Sequence, residues 1–107
     1  DKTEIKGLRT ALGLLSQTAE SGDVAVARAA VAANPTDPAA QYALAMAFFG
    51  GGDREGALDA MLESVRLNRT WDDEAARKQL LKFFEAIGHA DPLTMDARRR
   101  LSAILFS

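Results

Sequence analysis

The sequence contains no cysteine, which excludes thiol nucleophiles, zinc–thiolate sites, redox dithiols and disulfide staples together from these 107 residues. It has one histidine, His89, and one tryptophan, Trp71. A hydrolytic or transfer site needs a nucleophile, a base and a group that orients the base, and no such set is present. Excess charge of one sign is also missing. Thirteen basic side chains face fifteen acidic ones for a net charge of −2, so the clustered basic footprint of a nucleic-acid binder is absent. No apolar run approaches the ~18 to 20 residues of a membrane span. The opening DKTEIKGLRT has no apolar leader core and no initiator Met, and it reads as the start of an excised fragment. What is present is 48% hydrophobic residues, enough for one small domain with a real core.

Alanine-rich text with few clustered β-branched residues and apolar positions at helical spacing predicts an all-α chain. The first segment, about Lys2 to Glu20, places Ile5, Leu8, Leu12 and Leu15 on one stripe, and Ser21-Gly22-Asp23 stops it. A short second helix runs from Val24 to Ala33 and ends at Asn34-Pro35, because the residue before a proline is pushed out of the helical region. Asp37 caps a third helix with Pro38 at its first position, where a missing N–H costs nothing. Gly50-Gly51-Gly52 breaks that helix near Phe49, and Asp53 caps a fourth over Arg54 to Leu67 with the stripe Ala57, Leu58, Met61, Leu62 and Val65. Thr70 or Asp72 is expected to start a fifth helix carrying Ala76, Leu80, Phe83, Phe84 and Ile87, closed by Gly88. Asp91-Pro92 opens the last, with Leu93, Ala97, Leu101, Ile104 and Leu105 on its inner face.

Six helices joined by connections of a few residues predict stacked antiparallel hairpins. The Gly22-Asp23 boundary overlays Gly52-Asp53, and the proline break before the third helix recurs before the sixth. Between Pro38 and Arg69 the spacing resembles one tetratricopeptide repeat. Leu44-Ala45 stands at its Leu-Gly pair, Phe48 at its Tyr, Gly51-Gly52-Asp53 at its turn, Ala57 at the small contact position, and Met61, Ser64 and Leu67 at later packing positions. It departs from the repeat at Ala45 for Gly, Ser64 for Ala and Arg69 for the closing Pro. The expected fold is therefore a right-handed α-solenoid fragment of about six helices. Residues 1–35 form a degenerate repeat, 36–69 the best match and 70–107 a C-terminal helical hairpin.

A second resemblance covers the chain from about Pro35 to Ser107. Its densest parts are Asp72-Asp73-Glu74-Ala75-Ala76-Arg77-Lys78, Asp91-Pro92-Leu93, and Arg98-Arg99-Arg100-Leu101-Ser102 with Ile104-Leu105-Phe106. These look like the C-terminal tail of the bacterial thioredoxin-like co-chaperones, the chaperedoxins of the YbbN or CnoX type. In that family a thioredoxin fold precedes a tetratricopeptide region. The resemblance implies a non-catalytic, cytoplasmic folding factor that holds unfolded clients, passes them to chaperone systems and docks on the chaperonin through its terminal helix. It implies an intramolecular thioredoxin-domain partner in the full protein, and no part of that domain, with its redox features, lies in these residues. No cofactor or metal is expected, and neither nucleic acid nor membrane as partner.

Two surfaces are candidate binding sites. On the terminal helix, Arg98, Arg99 and Ser102 are expected to lie exposed beside Phe106, which falls off the apolar stripe. Phe106 either tucks against the fifth helix or is offered to a partner, and the arginines are either a solvated face or part of a docking face. On the third helix, Ala43, Leu44, Ala47 and Phe48 can face the hairpin partner, while Ala39, Tyr42, Met46 and Phe49 match the groove-lining positions of the repeat. A methionine-containing apolar groove suits weakly specific capture of hydrophobic peptides, unless the fifth helix covers it. Asp72-Asp73-Glu74 reads as acidic residues in a helix's first turn and not as a metal cluster. His89 reads as a solvated linker residue and Trp71 as a core or hinge aromatic. The alternative to a client-binding module is a structural scaffold whose exposed apolar faces pair with a second copy, as a homodimer, or with its own upstream half.

Overall fold

A computed structural model describes residues 24–106, so the helix expected over Lys2 to Glu20 lies outside the described residues. Five helices follow in order: α1 (Val24–Ala33), α2 (Pro38–Gly50), α3 (Arg54–Leu67), α4 (Ala75–Ile87) and α5 (Pro92–Phe106). Among the described residues there is no strand, and the architecture is the all-α helical repeat that periodicity predicts. Successive helices pack side by side, α1 on α2 and α2 closely on α3. Both α4 and α5 then lean on α3, and they touch it more than they touch each other.

Local chemistry sets most of the boundaries. One device opens α2 and α5: Asp37 Oδ1 accepts the Ala39 N–H at 3.0 Å and Asp91 Oδ1 accepts the Leu93 N–H at 2.9 Å, each across a proline that has no N–H to satisfy. Between α2 and α3 two devices meet at Asp53. Gly52, at φ +89°, lets the Asp53 N–H reach back to the Phe48 carbonyl at 2.9 Å while its own N–H meets Phe49 at 3.1 Å, a Schellman closure. The Asp53 carboxylate then accepts the Gly56 N–H at 2.8 Å and opens α3. Gly88, at φ +116°, ends α4 in a conformation that is costly for any side chain.

The start of α4 differs from the expectation. Asp72, Asp73 and Glu74 have φ values of 50°, 57° and 63°, a left-handed turn, and the helix begins only at Ala75 with no side-chain cap. The three acids therefore do not form a helical first turn. Two of them pair instead with the helix they precede, Asp73 with Lys78 at 3.1 Å and Glu74 with Arg77 at 2.6 Å.

The core runs along α3. Every stripe residue expected there, Ala57, Leu58, Met61, Leu62 and Val65, is buried, and Leu80, Phe83 and Phe84 from α4 and Ala97 and Leu101 from α5 close over it. Small residues at the α2–α3 contact, Ala45, Ala47, Ala57 and Ala60, let the two backbones approach closely. Ser64, which stands where the repeat has alanine, is fully buried and donates to the Pro38 carbonyl at 2.8 Å, tying the end of α3 to the start of α2. Ala43 is exposed, and the buried residues of α2 are instead Ala40, Leu44, Ala45 and Ala47.

Candidate functional site

The outer face of α5 follows from its inner one. Burial of Thr94, Ala97 and Leu101 fixes the rotation of the helix, and the opposite side is left to solvent. At 100° per residue, Met95, Arg99, Ser102 and Phe106 fall within about 60° of one another. All four are exposed, Met95 at 51% and Phe106 at 82% of their surface. Arg98, also exposed, flanks this stripe.

The three consecutive arginines have three different surroundings. Arg100, though exposed, reaches across to Asp59 of α3 at 2.7 Å and links the two helices; that hydrogen bond, with added attraction from Asp59 and Asp96, raises its pKa above the ordinary arginine value. Arg99 pairs with Asp96 at 3.0 Å within its own helix. Arg98 makes no ion pair among the described residues. The Phe106 end of the stripe meets a loop residue distant in sequence: Arg69 donates through Nη1 to the Leu105 carbonyl at 2.8 Å, placing a positive charge on the helix's carbonyl end. Beside it lies a cavity of about 380 Å³ lined by Arg69, Thr70, Glu74, Arg77, Leu105 and Phe106.

The residues proposed for a groove on α2 have mixed surroundings. Phe49 stacks on Phe83 of α4 with centroids 4.4 Å apart and rings 8° from parallel, and Tyr42 meets Trp71 edge-on at 5.4 Å. Both are half-buried against the core. Ala39 is half-buried, and Met46 is 40% exposed. A second, larger cleft of about 480 Å³ lies between α1, α2 and α3, where Arg28 sits 5.0 Å from the Phe48 ring and Glu55, Asp59 and Glu63 form an acidic wall. The Arg66 guanidinium hydrogen-bonded to Glu63 holds that carboxyl below its usual range, against a weaker opposing effect of burial. His89 is exposed in the α4–α5 turn, and among the described residues no group of acidic or histidine side chains could hold a metal ion.

A family model for the tetratricopeptide repeat matches residues 17–106. The chain belongs to the tetratricopeptide repeat family. This tetratricopeptide chain is also similar to an uncharacterized protein of Haemophilus influenzae, 30% identical over 100 residues that make up 94% of the chain and 46% of that protein. The chain thus spans about half the length of the curated relative it matches. No solved structure matches it. Tetratricopeptide domains in general mediate protein–protein interaction and are typically not catalytic. No helix among the described residues is long and apolar enough to cross a membrane.

Periodicity and motif resemblance do not single out three residues at or beside the α5 surface, Met95 on the helix and Arg69 and Arg77 off it. Met95 is legible in hindsight, because the steps Met95, Arg99, Ser102 and Phe106 repeat a helical period opposite the core stripe. Arg69 and Arg77 are not, since only the fold brings them to the end of α5.

Proposed function

We propose that this chain is the interaction module of a thioredoxin-like co-chaperone, which binds unfolded clients and docks on a chaperonin through the outer face of α5. The observation that carries the reading is the exposed Met95–Arg99–Ser102–Phe106 stripe. It joins apolar anchors to an arginine on a helix whose other side is fixed in the core, the composition of an interface hot spot. The resemblance of residues 72–78, 91–93 and 98–106 to the chaperedoxin tail supports the choice of partner, and with it a cytoplasmic setting and a thioredoxin domain upstream. In this reading residues 1–35 and 36–69 are a degenerate and a full repeat, residues 70–107 supply the docking end, and Met46, with Ala39 two turns before it on the same face, is what α2 offers a client.

The test is a chaperonin pull-down with the Arg99→Glu, Phe106→Ala double variant. Binding is expected to be lost while the circular dichroism spectrum and melting temperature are unchanged, because neither side chain is buried. Full retention of binding would overturn the docking assignment.

A further inference from the structure

We infer that the segment recognised at the end of α5 is acidic and amphipathic: a carboxylate side chain enters the cavity between Arg69 and Arg77 while its aliphatic neighbours lie on Phe106 and Met95. The inference rests on the reading above, that α5 docks a protein, and specifies the chemistry of what docks.

Charge is the first argument. The chain as a whole carries a net charge of −2, yet four arginines, 69, 77, 98 and 99, surround the Phe106 end of α5 or flank its stripe. Two carboxylates offset them, Glu74 on Arg77 and Asp96 on Arg99. Asp72 and Asp73 of the adjoining turn do not line the cavity, and Asp73 is neutralised by Lys78. A local positive field on an acidic protein selects the sign of its partner.

Donor capacity is the second. A guanidinium has five N–H groups. Arg69 directs Nη1 at the Leu105 carbonyl and Arg77 directs Nε at Glu74, so each keeps further donors for an incoming oxygen pair. The Leu105 contact also holds Arg69 at the cavity edge, which lowers the entropy lost when a carboxylate arrives.

Shape is the third. The cavity of about 380 Å³ opens beside the side chain of Phe106, so a segment with acidic and aliphatic residues one helical turn apart can fill the first and cover the second.

The experiment uses the full chain and two capped twelve-residue peptides, one of Leu, Ala and Glu at amphipathic spacing and one with every Glu replaced by Gln. Trp71 adjoins Thr70 of the cavity and is the only tryptophan, so its fluorescence reports binding. At low salt the Glu peptide is expected to bind at least tenfold more tightly than the Gln peptide, and added salt should narrow the gap. Arg69→Gln with Arg77→Gln should reduce the gap to threefold or less. Because Arg69 also holds α5, Arg77→Gln and Arg98→Gln are measured singly, and each is expected to weaken only the Glu peptide. Equal binding of the two peptides, binding of neither, or a gap that survives the double variant overturns the inference. If the chaperonin pull-down still responds to Arg99→Glu with Phe106→Ala, the docking reading stands without it; if both fail, both fall.

Discussion

Thr94 lies on the inner face of α5, fully enclosed, and its hydroxyl has no hydrogen-bond partner among the described residues. A buried donor left without a partner costs about 1–3 kcal/mol, and valine has nearly the same shape without the hydroxyl. Thr94→Val is therefore expected to stabilise the domain by about 1 kcal/mol, which for a domain of this size raises Tm by roughly 4–8 °C. Thermal unfolding followed by circular dichroism checks it, and an unchanged or lower Tm would mean that the hydroxyl finds a partner. Ser64 is the contrasting case, buried to the same degree but satisfied by the Pro38 carbonyl. Hydropathy alone does not say which of the two hydroxyls is satisfied. Each is a small hydroxyl residue in the core, and what separates them is an acceptor 26 residues away for one and none among the described residues for the other.

At the scale of the element, the boundaries that were legible are those that local hydrogen bonds decide. Asp37 and Asp91 before proline, Asp53 after the glycines, and Gly88 act on groups within a few residues of themselves, so their spacing carries the structure. The start of α4 was not legible, because acidic residues before a helix ordinarily mean its first turn. Here the chain must leave α3 and set Phe83 and Phe84 into the core, and Asp72 to Glu74 absorb that change of direction in left-handed conformations. Such a conformation costs roughly 1–2 kcal/mol for an ordinary residue and nothing for glycine, with Asp near the lower figure. Asp72→Gly is accordingly expected to leave stability unchanged or to raise it by up to about 1 kcal/mol. In a helical first turn the same change would destabilise by up to about 1 kcal/mol, so the sign of the Tm shift separates the two conformations.

Across the whole molecule, sequence alone leaves open which side of α2 faces a partner and which faces the next helix. Periodicity places Ala39, Tyr42, Met46 and Phe49 on one stripe but does not say what lies opposite. The position of α4 and of the turn before it supplies the answer residue by residue, with Phe83 against Phe49 and Trp71 against Tyr42. These two aromatic pairs bridge α2 to the part of the chain that follows α3, so they bind one repeat to the next as well as filling space. Burying Phe in a core and then truncating it to Ala costs about 3–5 kcal/mol, and because Phe49 is only half-buried, about 2–3 kcal/mol is expected for Phe49→Ala. The corresponding fall in Tm is roughly 10–20 °C, with Tyr42→Ala adding to it and Met46→Ala, at the exposed edge, changing Tm by little. Client binding measured on the same three variants at a temperature where all remain folded then assigns the surface. Loss on Met46→Ala alone, at constant Tm, marks the edge of α2 as a contact. Loss that follows the fall in Tm marks Tyr42 and Phe49 as the joint between repeats, and reduced binding by Phe49→Ala with no change in Tm would instead return that ring to the groove.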